Sequence, residues 1–328
     1  LEAIRGKVGE VAITWTKAHA KEPGNEKADE LAKEGSQKPP ESWVPNKHLG
    51  RLTGLKLSTL NQSTAYHAIL QEKIITELPK VSANLDRIQE DVKNGLTERS
   101  PARGEIWKNL KQTKTIYRTQ REFLFKTIKN IHKIGTYWSH IPNHEERATC
   151  HTCNKTETME HILTECPTPG QNEIWDETRN IWELKYKDWK QPTFGEIIGC
   201  ASARLKGMNN KPNAGKTRLY QILISEAAYA IWLLRCTRVI TNNNERHKWP
   251  QKQQIIQSLR KQLELRLRMD IIHTNEGKYD KKAIRKELVI ATWTGLIKEE
   301  DSSIHNWVSN PGVLVGIRQT ESHTTYNT

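Results

Sequence analysis

The chain has 328 residues and carries 51 Lys and Arg against 38 Asp and Glu, a formal net charge of +13 with a pI near 9.4. That length has room for about two domains and at least one sizeable core. Five cysteines without paired spacings, and no signal-like segment at Leu1, argue against a secreted disulfide scaffold and for thiols that are reduced or metal-bound. The most apolar run, Leu219 to Leu234, is interrupted by Gln221, Ser225 and Glu226 and falls short of the roughly 20 residues a bilayer needs, so it reads as a core helix and no membrane partner is expected.

In chain order, Val11 to Trp15 alternates loosely and is β-prone, which predicts a strand over Glu10 to Lys17. Asn25 suits an N-cap, Glu26 and Asp29 suit the positive end of a helix dipole and Gly35 suits a stop, so a helix is expected from Glu26 to Glu34. Ser36 to Gly50, with three prolines, reads as a linker. Leu55 to Leu78 and Asn84 to Asn94 carry helical patterning broken near Pro79, and Gly95 to Gly104 is a second loop. Ile106 to Ile131 reads as one long basic helix bearing Ile106, Leu110, Ile116, Phe123, Phe125 and Ile128.

Further on, Asn172 to Trp189 places Trp175, Thr178, Ile181, Trp182 and Trp189 on about one face; a tryptophan stripe at helical spacing reads as core rather than as a base-stacking surface. Arg218 to Ile240 is a largely apolar helix. Ile256, Leu259, Leu263 and Leu267 form a stripe backed by Arg260, Lys261, Arg266 and Arg268, and Lys281 to Lys298 is expected as the last long helix. Gly215-Lys216-Thr217 imitates the end of a phosphate-binding loop, but position 210 is Asn where that loop needs Gly, so a surface turn is expected there. The fold class that results is mainly α, with a short βα segment at the start and a small zinc knuckle.

Charge is clustered. Arg103 to Lys133 holds nine Lys or Arg and two Glu, and Lys252 to Lys286 holds ten basic residues and four acidic ones. A basic polyanion-binding surface favours nucleic acid, and the expected phosphate contacts are Lys108, Lys111, Lys114, Arg118, Arg121, Lys126 and Lys129. The plainer account of such a helix is a solvated face.

Cys150-x2-Cys153-x7-His161-x4-Cys166 offers three thiolates and an imidazole, a donor set that suits tetrahedral Zn2+. The first pair would sit on a tight turn, and a short helix from Glu157 to Thr164 would present His161. The competing account is free thiols near a surface histidine, with His140, His144 and His151 as neighbouring imidazoles.

Two stretches resemble known families. Lys17-Ala18-His19-Ala20 followed by Gly24-Asn25-Glu26-x-Ala28-Asp29-x-Leu31-Ala32 resembles the C-terminal strand, loop and helix of a type 1 ribonuclease H domain. The resemblance implies His19 as a proton-shuttling or product-releasing residue, and Asp29 as the last Mg2+-binding carboxylate of a two-metal site that cleaves the RNA strand of RNA/DNA hybrids. The family's other three carboxylates precede this segment, and the few residues before the expected strand cannot hold them, so no hydrolysis is expected of these residues alone. Ile134-Gly135-Thr136-Tyr137-Trp138 and the Cys-Cys-His-Cys cluster, with Glu157, Met159 and Glu160 before His161, resemble the zinc-binding segment of non-LTR retrotransposon reverse transcriptases. Ser225 to Cys236 and Trp307 to Gly316 resemble fungal retroelement-derived proteins less specifically.

Together the resemblances imply a retroelement-type chain with the ribonuclease H end at 1–35, a linker and helices at 36–104, a basic helix and zinc segment at 105–170 and a helical domain at 171–328. Nucleic acid and an upstream reverse transcriptase or ribonuclease H segment are the partners implied, and an intracellular location, the nucleus included, is the one implied. The alternative is a non-catalytic, zinc-stabilised module that binds nucleic acid or protein.

Overall fold

The computed structural model describes residues 22–37, 61–66, 77–207, 209–298, 307–308 and 316–318. The strand expected at Glu10 to Lys17, His19, the linker after the first helix and most of the Leu55 to Leu78 pattern lie outside them. The described residues are mainly helical, with isolated antiparallel bridges in place of a sheet. The chain divides into two units, Leu1–Thr76 and Glu77–Thr328.

In the first unit, helix α1 (Pro23–Gln37) is exposed along its length. It begins three residues before the expected start, because Pro23 has no N–H to leave unpaired and its ring presets a helical φ. The amides of Asn25 and Glu26 both bond Glu22 O at 3.0 Å, so Asn25 lies inside the helix and is not its cap. The helix also continues through Gly35, the expected stop. Residues 62–66 form a separate helical turn opened by Asn61, whose Oδ1 accepts from Thr64 N at 2.9 Å.

The second unit starts with α2 (Pro79–Gly95), again opened by a proline and burying Val81, Leu85, Ile88 and Val92 at helical spacing. The long basic helix of the sequence reading is two helices, α3 (Arg103–Gln112) and α4 (Arg118–Ile128). Between them Thr113 leaves helical geometry (φ −59°, ψ 127°) and its Oγ1 accepts from Thr115 N at 3.1 Å. β-Branched residues at 113, 115 and 116 weaken helix continuation, and the break lets Ile116 turn inward to 2 % exposure. One consequence is that Phe125, expected on the apolar face, is 43 % exposed.

After the cysteine segment come α5 (Gln171–Glu183), α6 (Phe194–Ile198), α7 (Ala214–Cys236), α8 (Lys252–Ile272) and α9 (Lys286–Trp293). Most of the tryptophan stripe is core as expected, with Trp175, Thr178, Ile181 and Trp182 all buried on α5; the helix ends at Glu183, six residues short of the expected end, and Trp189 beyond it packs on the core only partly buried. Thr193 and Glu196 cap α6 reciprocally, each accepting a hydrogen bond from the other's amide at 3.2 and 2.8 Å.

Helix α7 is the centre of the unit and packs against α4, α5, α6, α8 and α9. Leu219, Ile222, Leu223, Ile224, Ala227 and Ala228 are buried to 1 % exposure or less, which is why this helix is apolar nearly all round. No described helix is long and apolar enough to cross a membrane. Gly215 is not in a surface turn. It lies in the first turn of α7, capped by Asn213 Oδ1 accepting from Lys216 N at 2.8 Å, and a Cβ there would sit 2.5 Å from Ala291 O of α9.

Two further expectations are corrected on the C-terminal side. Ile255 rather than Ile256 leads the buried stripe of α8, and Arg266 faces inward at 2 % exposure instead of backing the stripe from solvent. The last long helix is short, Lys286–Trp293, preceded by single turns at Glu276–Tyr279 and Asp280–Lys282. Arg266 is accommodated by a buried network: Arg218 grips Asp270 through both terminal nitrogens at 2.7 and 2.8 Å, Trp293 Nε1 donates to Asp270 at 2.8 Å, and Arg266 stacks 3.6 Å from the centre of the Tyr117 ring. Arg266 also donates to Thr115 O, so the same network ties α7, α8 and α9 to the break between α3 and α4.

Candidate metal centre and the basic cleft

The first cysteine pair sits on a tight turn closed by an antiparallel bridge between Thr149 and Thr156. Cys150 N bonds Lys155 O and Asn154 N bonds Cys150 O, both at 2.8 Å, and Asn154 supplies the left-handed residue of the turn (φ +55°). Asparagine tolerates that region better than most side chains.

The second pair comes from an irregular helix end. The Thr158 hydroxyl accepts from His161 N at 3.0 Å, and His161–Glu165 winds wide enough that Cys166 N reaches His161 O at 2.8 Å. A π-type turn adds a residue to the loop. It aims His161 Nε2 at Cys153 Sγ, 3.3 Å away, and leaves Cys166 Sγ 3.7 Å from Cys150 Sγ. The helix presenting His161 is therefore present in the expected place, with π rather than α winding.

All four candidate ligand atoms lie within 4.8 Å of one another, and three of the four residues are buried. Cys150, Cys153, His161 and Cys166 could thus hold a metal ion. His140, His144 and His151 do not join them, and this is the one such group of three or more His, Cys, Asp or Glu side chains among the described residues. The two close thiols favour a single negative charge between them. Their mutual hydrogen bond lowers the Cys150 thiol well below its ordinary range, while the same bond and burial push Cys166 up. A bound cation would reverse the second effect and favour both thiolates.

Surrounding contacts fix the centre in the core. The Thr168 hydroxyl lies 3.0 Å from Cys166 Sγ, and buried His161 Nδ1 faces the Glu165 carboxylate at 3.7 Å. Ligating histidines are commonly oriented through their second nitrogen. Trp175 Nε1 of α5 donates to Leu163 O at 2.8 Å, and Arg235 of α7 pairs with buried Glu157, its Nε donating at 3.0 Å. Gly135, at φ +52°, lets the chain pass Glu157 O where a Cβ would stand at 2.4 Å. Thr168 carries no sequence signal of its own, and the pairing of Glu157 with Arg235, 78 residues apart, leaves no local signal either.

Asp29, expected as a magnesium ligand, is exposed on α1 and belongs to no group of metal-capable side chains among the described residues. Of the expected phosphate contacts, Lys111, Arg118, Arg121 and Lys129 line a single cleft of about 650 Å³ between α3 and α4. Lys108, Lys114 and Lys126 are exposed but do not line it. The cleft also contains Trp107 and Phe125, which the sequence reading did not place in a site. A signal was present: each aromatic has a lysine four residues on, Lys111 and Lys129, hence on the same helical face.

No model of a known protein family matches the chain, and no curated protein or solved structure matches it.

Proposed function

We propose that this chain is a zinc-stabilised helical module of the retroelement ribonuclease H type, and that it binds nucleic acid through the basic surface of α3 and α4. The observation that carries the reading is the convergence of Cys150, Cys153, His161 and Cys166, at a spacing that resembles the reverse-transcriptase zinc segment, into one largely buried ligand set. Zinc is the proposed ion. With Zn–S near 2.3 Å and Zn–N near 2.05 Å, a tetrahedron has sulfur–sulfur edges of about 3.8 Å and sulfur–nitrogen edges of about 3.6 Å. The 3.7 Å between Cys150 and Cys166 and the 3.3 Å between Cys153 and His161 lie close to those edges.

Four cations gathered at one cleft, in a chain of net charge +13, support the nucleic-acid part of the proposal. Hydrolysis is not part of it. Of the ribonuclease H carboxylates only Asp29 is matched, and a single carboxylate cannot hold two magnesium ions.

Metal analysis of purified protein is expected to find about one zinc per chain, lost in Cys153→Ser and in His161→Ala. Binding of an RNA/DNA hybrid or a single strand is expected to weaken steeply with salt, with a log–log slope between about −3 (single strand) and about −4 (duplex) for four phosphate contacts. Metal-free wild-type protein would remove the zinc centre, and binding indifferent to salt would remove the phosphate contacts.

A further inference from the structure

We propose that the cleft between α3 and α4 is a seat for one unstacked base of a single-stranded nucleic acid, with the rim cations holding the phosphates on either side. The inference rests on the nucleic-acid reading above and names the form of nucleic acid that this site selects.

The cleft has a floor and a rim of different chemistry. Its floor is Trp107, Leu110 and Phe125, and its volume, about 650 Å³, falls in the range that encloses small organic ligands. The Trp107 and Phe125 rings meet edge to face, 5.7 Å between centres and 62° between planes, so they form an angled aromatic wall instead of a closed stack. Phe125 remains 43 % exposed, and Lys129 Nζ sits 5.0 Å from the centre of the Trp107 ring. An exposed aromatic beside cations is what a base needs for stacking on one side and a phosphate needs on the other.

The rim is Lys111, Arg118, Arg121 and Lys129, against one carboxylate, Glu122, which Arg118 engages at 2.7 Å. Arg121 is braced, Nη1 donating to Lys111 O at 2.8 Å across the gap between the helices. Its Nε is buried and has no hydrogen-bond partner among the described residues.

A duplex keeps the faces of its bases stacked and offers this site phosphates only, whereas a single strand can turn a base into the aromatic wall. An acidic amphipathic peptide is the rival occupant. It would need a trough for anchors spaced over two helical turns, and a floor of three side chains is short for that.

The test measures anisotropy of a labelled oligothymidylate of about 12 nucleotides, a blunt RNA/DNA hybrid and an acidic amphipathic peptide with full-length protein. Phe125→Ala and Phe125→Tyr are compared with wild type, and thermal melting checks that each is folded. Phe125→Ala is expected to weaken the single strand about tenfold while leaving the hybrid unchanged, and Phe125→Tyr, which keeps a ring, to retain wild-type affinity. Equal losses on strand and hybrid, or none on either with salt-dependent binding intact, overturn the base seat and leave the nucleic-acid reading standing. No binding of either nucleic acid by wild type overturns both. Peptide binding lost in Phe125→Ala, with the strand unaffected, makes the cleft a protein site and overturns the proposal.

Discussion

Two buried acids on this scaffold respond to pH in opposite senses, and each response follows from its neighbours. Glu226 on α7 is buried with only Gln120 as a hydrogen-bond donor, at 2.7 Å; burial outweighs the Arg266 charge and raises its pKa from 4.5 to about 6. A raised carboxyl binds its proton more tightly in the folded state. Its stabilising contribution is therefore full below about pH 4.5 and is lost as pH rises through about 6, at a cost of about 2 kcal/mol. Glu226→Gln should thus be more stable than wild type by about 1 to 2 kcal/mol at pH 8, and about equal to it at pH 4, by urea denaturation. Asp270 is the opposite case. Burial opposes its charge, but the hydrogen bonds and charges of Arg218 and Arg266 prevail and hold it below the usual carboxylate range. What it contributes persists above the ordinary Asp pKa and fades only as pH falls through its depressed value. Asp270→Ala should cost about 3 to 5 kcal/mol at neutral pH, because it leaves two buried guanidinium groups without their shared carboxylate, and unfolding curves that match wild type would refute this.

At the scale of elements, the close approach of α7 to α9 depends on one missing methyl. Gly215 lets α7 approach α9 so closely that an added Cβ would stand 2.5 Å from Ala291 O and 2.9 Å from the Ala291 side chain. Backbone cannot yield as a flexible side chain can, so Gly215→Ala should destabilise by about 1 to 3 kcal/mol despite alanine's better helix propensity, seen as a lower melting temperature. That glycine also shows where the sequence was legible and where it was not. Apolar periodicity located α5, α7 and α8, because burial on one side repeats every 3.6 residues and leaves a local imprint. The four metal-capable residues were legible for a related reason: Cys150 to Cys166 is one short segment whose spacing already limits its geometry. Gly215 looked like a turn because its partner, Ala291, is 76 residues away, and Arg266 looked solvent-facing because Asp270 alone, four residues on, does not reveal the distant Arg218 and Thr115. The break at Thr113 was hidden in a run whose charge pattern continues on both sides. The β-branched residues at 113, 115 and 116 weaken the helix there, and the burial of Ile116 shows why the chain turns at that point.

Over the whole second unit, the metal-capable segment is part of the core and not an appendage. Met159, Ile162 and Leu163, which surround His161 in sequence, are buried in the same cluster as the apolar side chains of α5 and α7. Arg235 of α7 is paired with Glu157 in the approach to the ligands, and Arg87 of α2 donates to Glu160 at 2.6 Å. A metal ion held by residues so connected would share its binding free energy with folding, since the unfolded chain does not preserve the ligand geometry. For zinc, the proposed ion, at a free concentration about a thousandfold above the dissociation constant, that linkage would amount to about 4 kcal/mol. Chelation should therefore lower the melting temperature of the entire unit in one cooperative transition, followed together by helical circular dichroism and by the near-ultraviolet signal of the buried tryptophans. Cys236→Ala, which alters a half-buried thiol outside the ligand set, should keep its zinc and its response to chelator, whereas Cys153→Ser should melt like the chelated wild type without further change. If chelator instead lost only a small, separate transition and left the tryptophan signal intact, the centre would be a local clip on residues 148–166, and the contacts of Glu157 and Glu160 with α7 and α2 would not transmit its stability to the core.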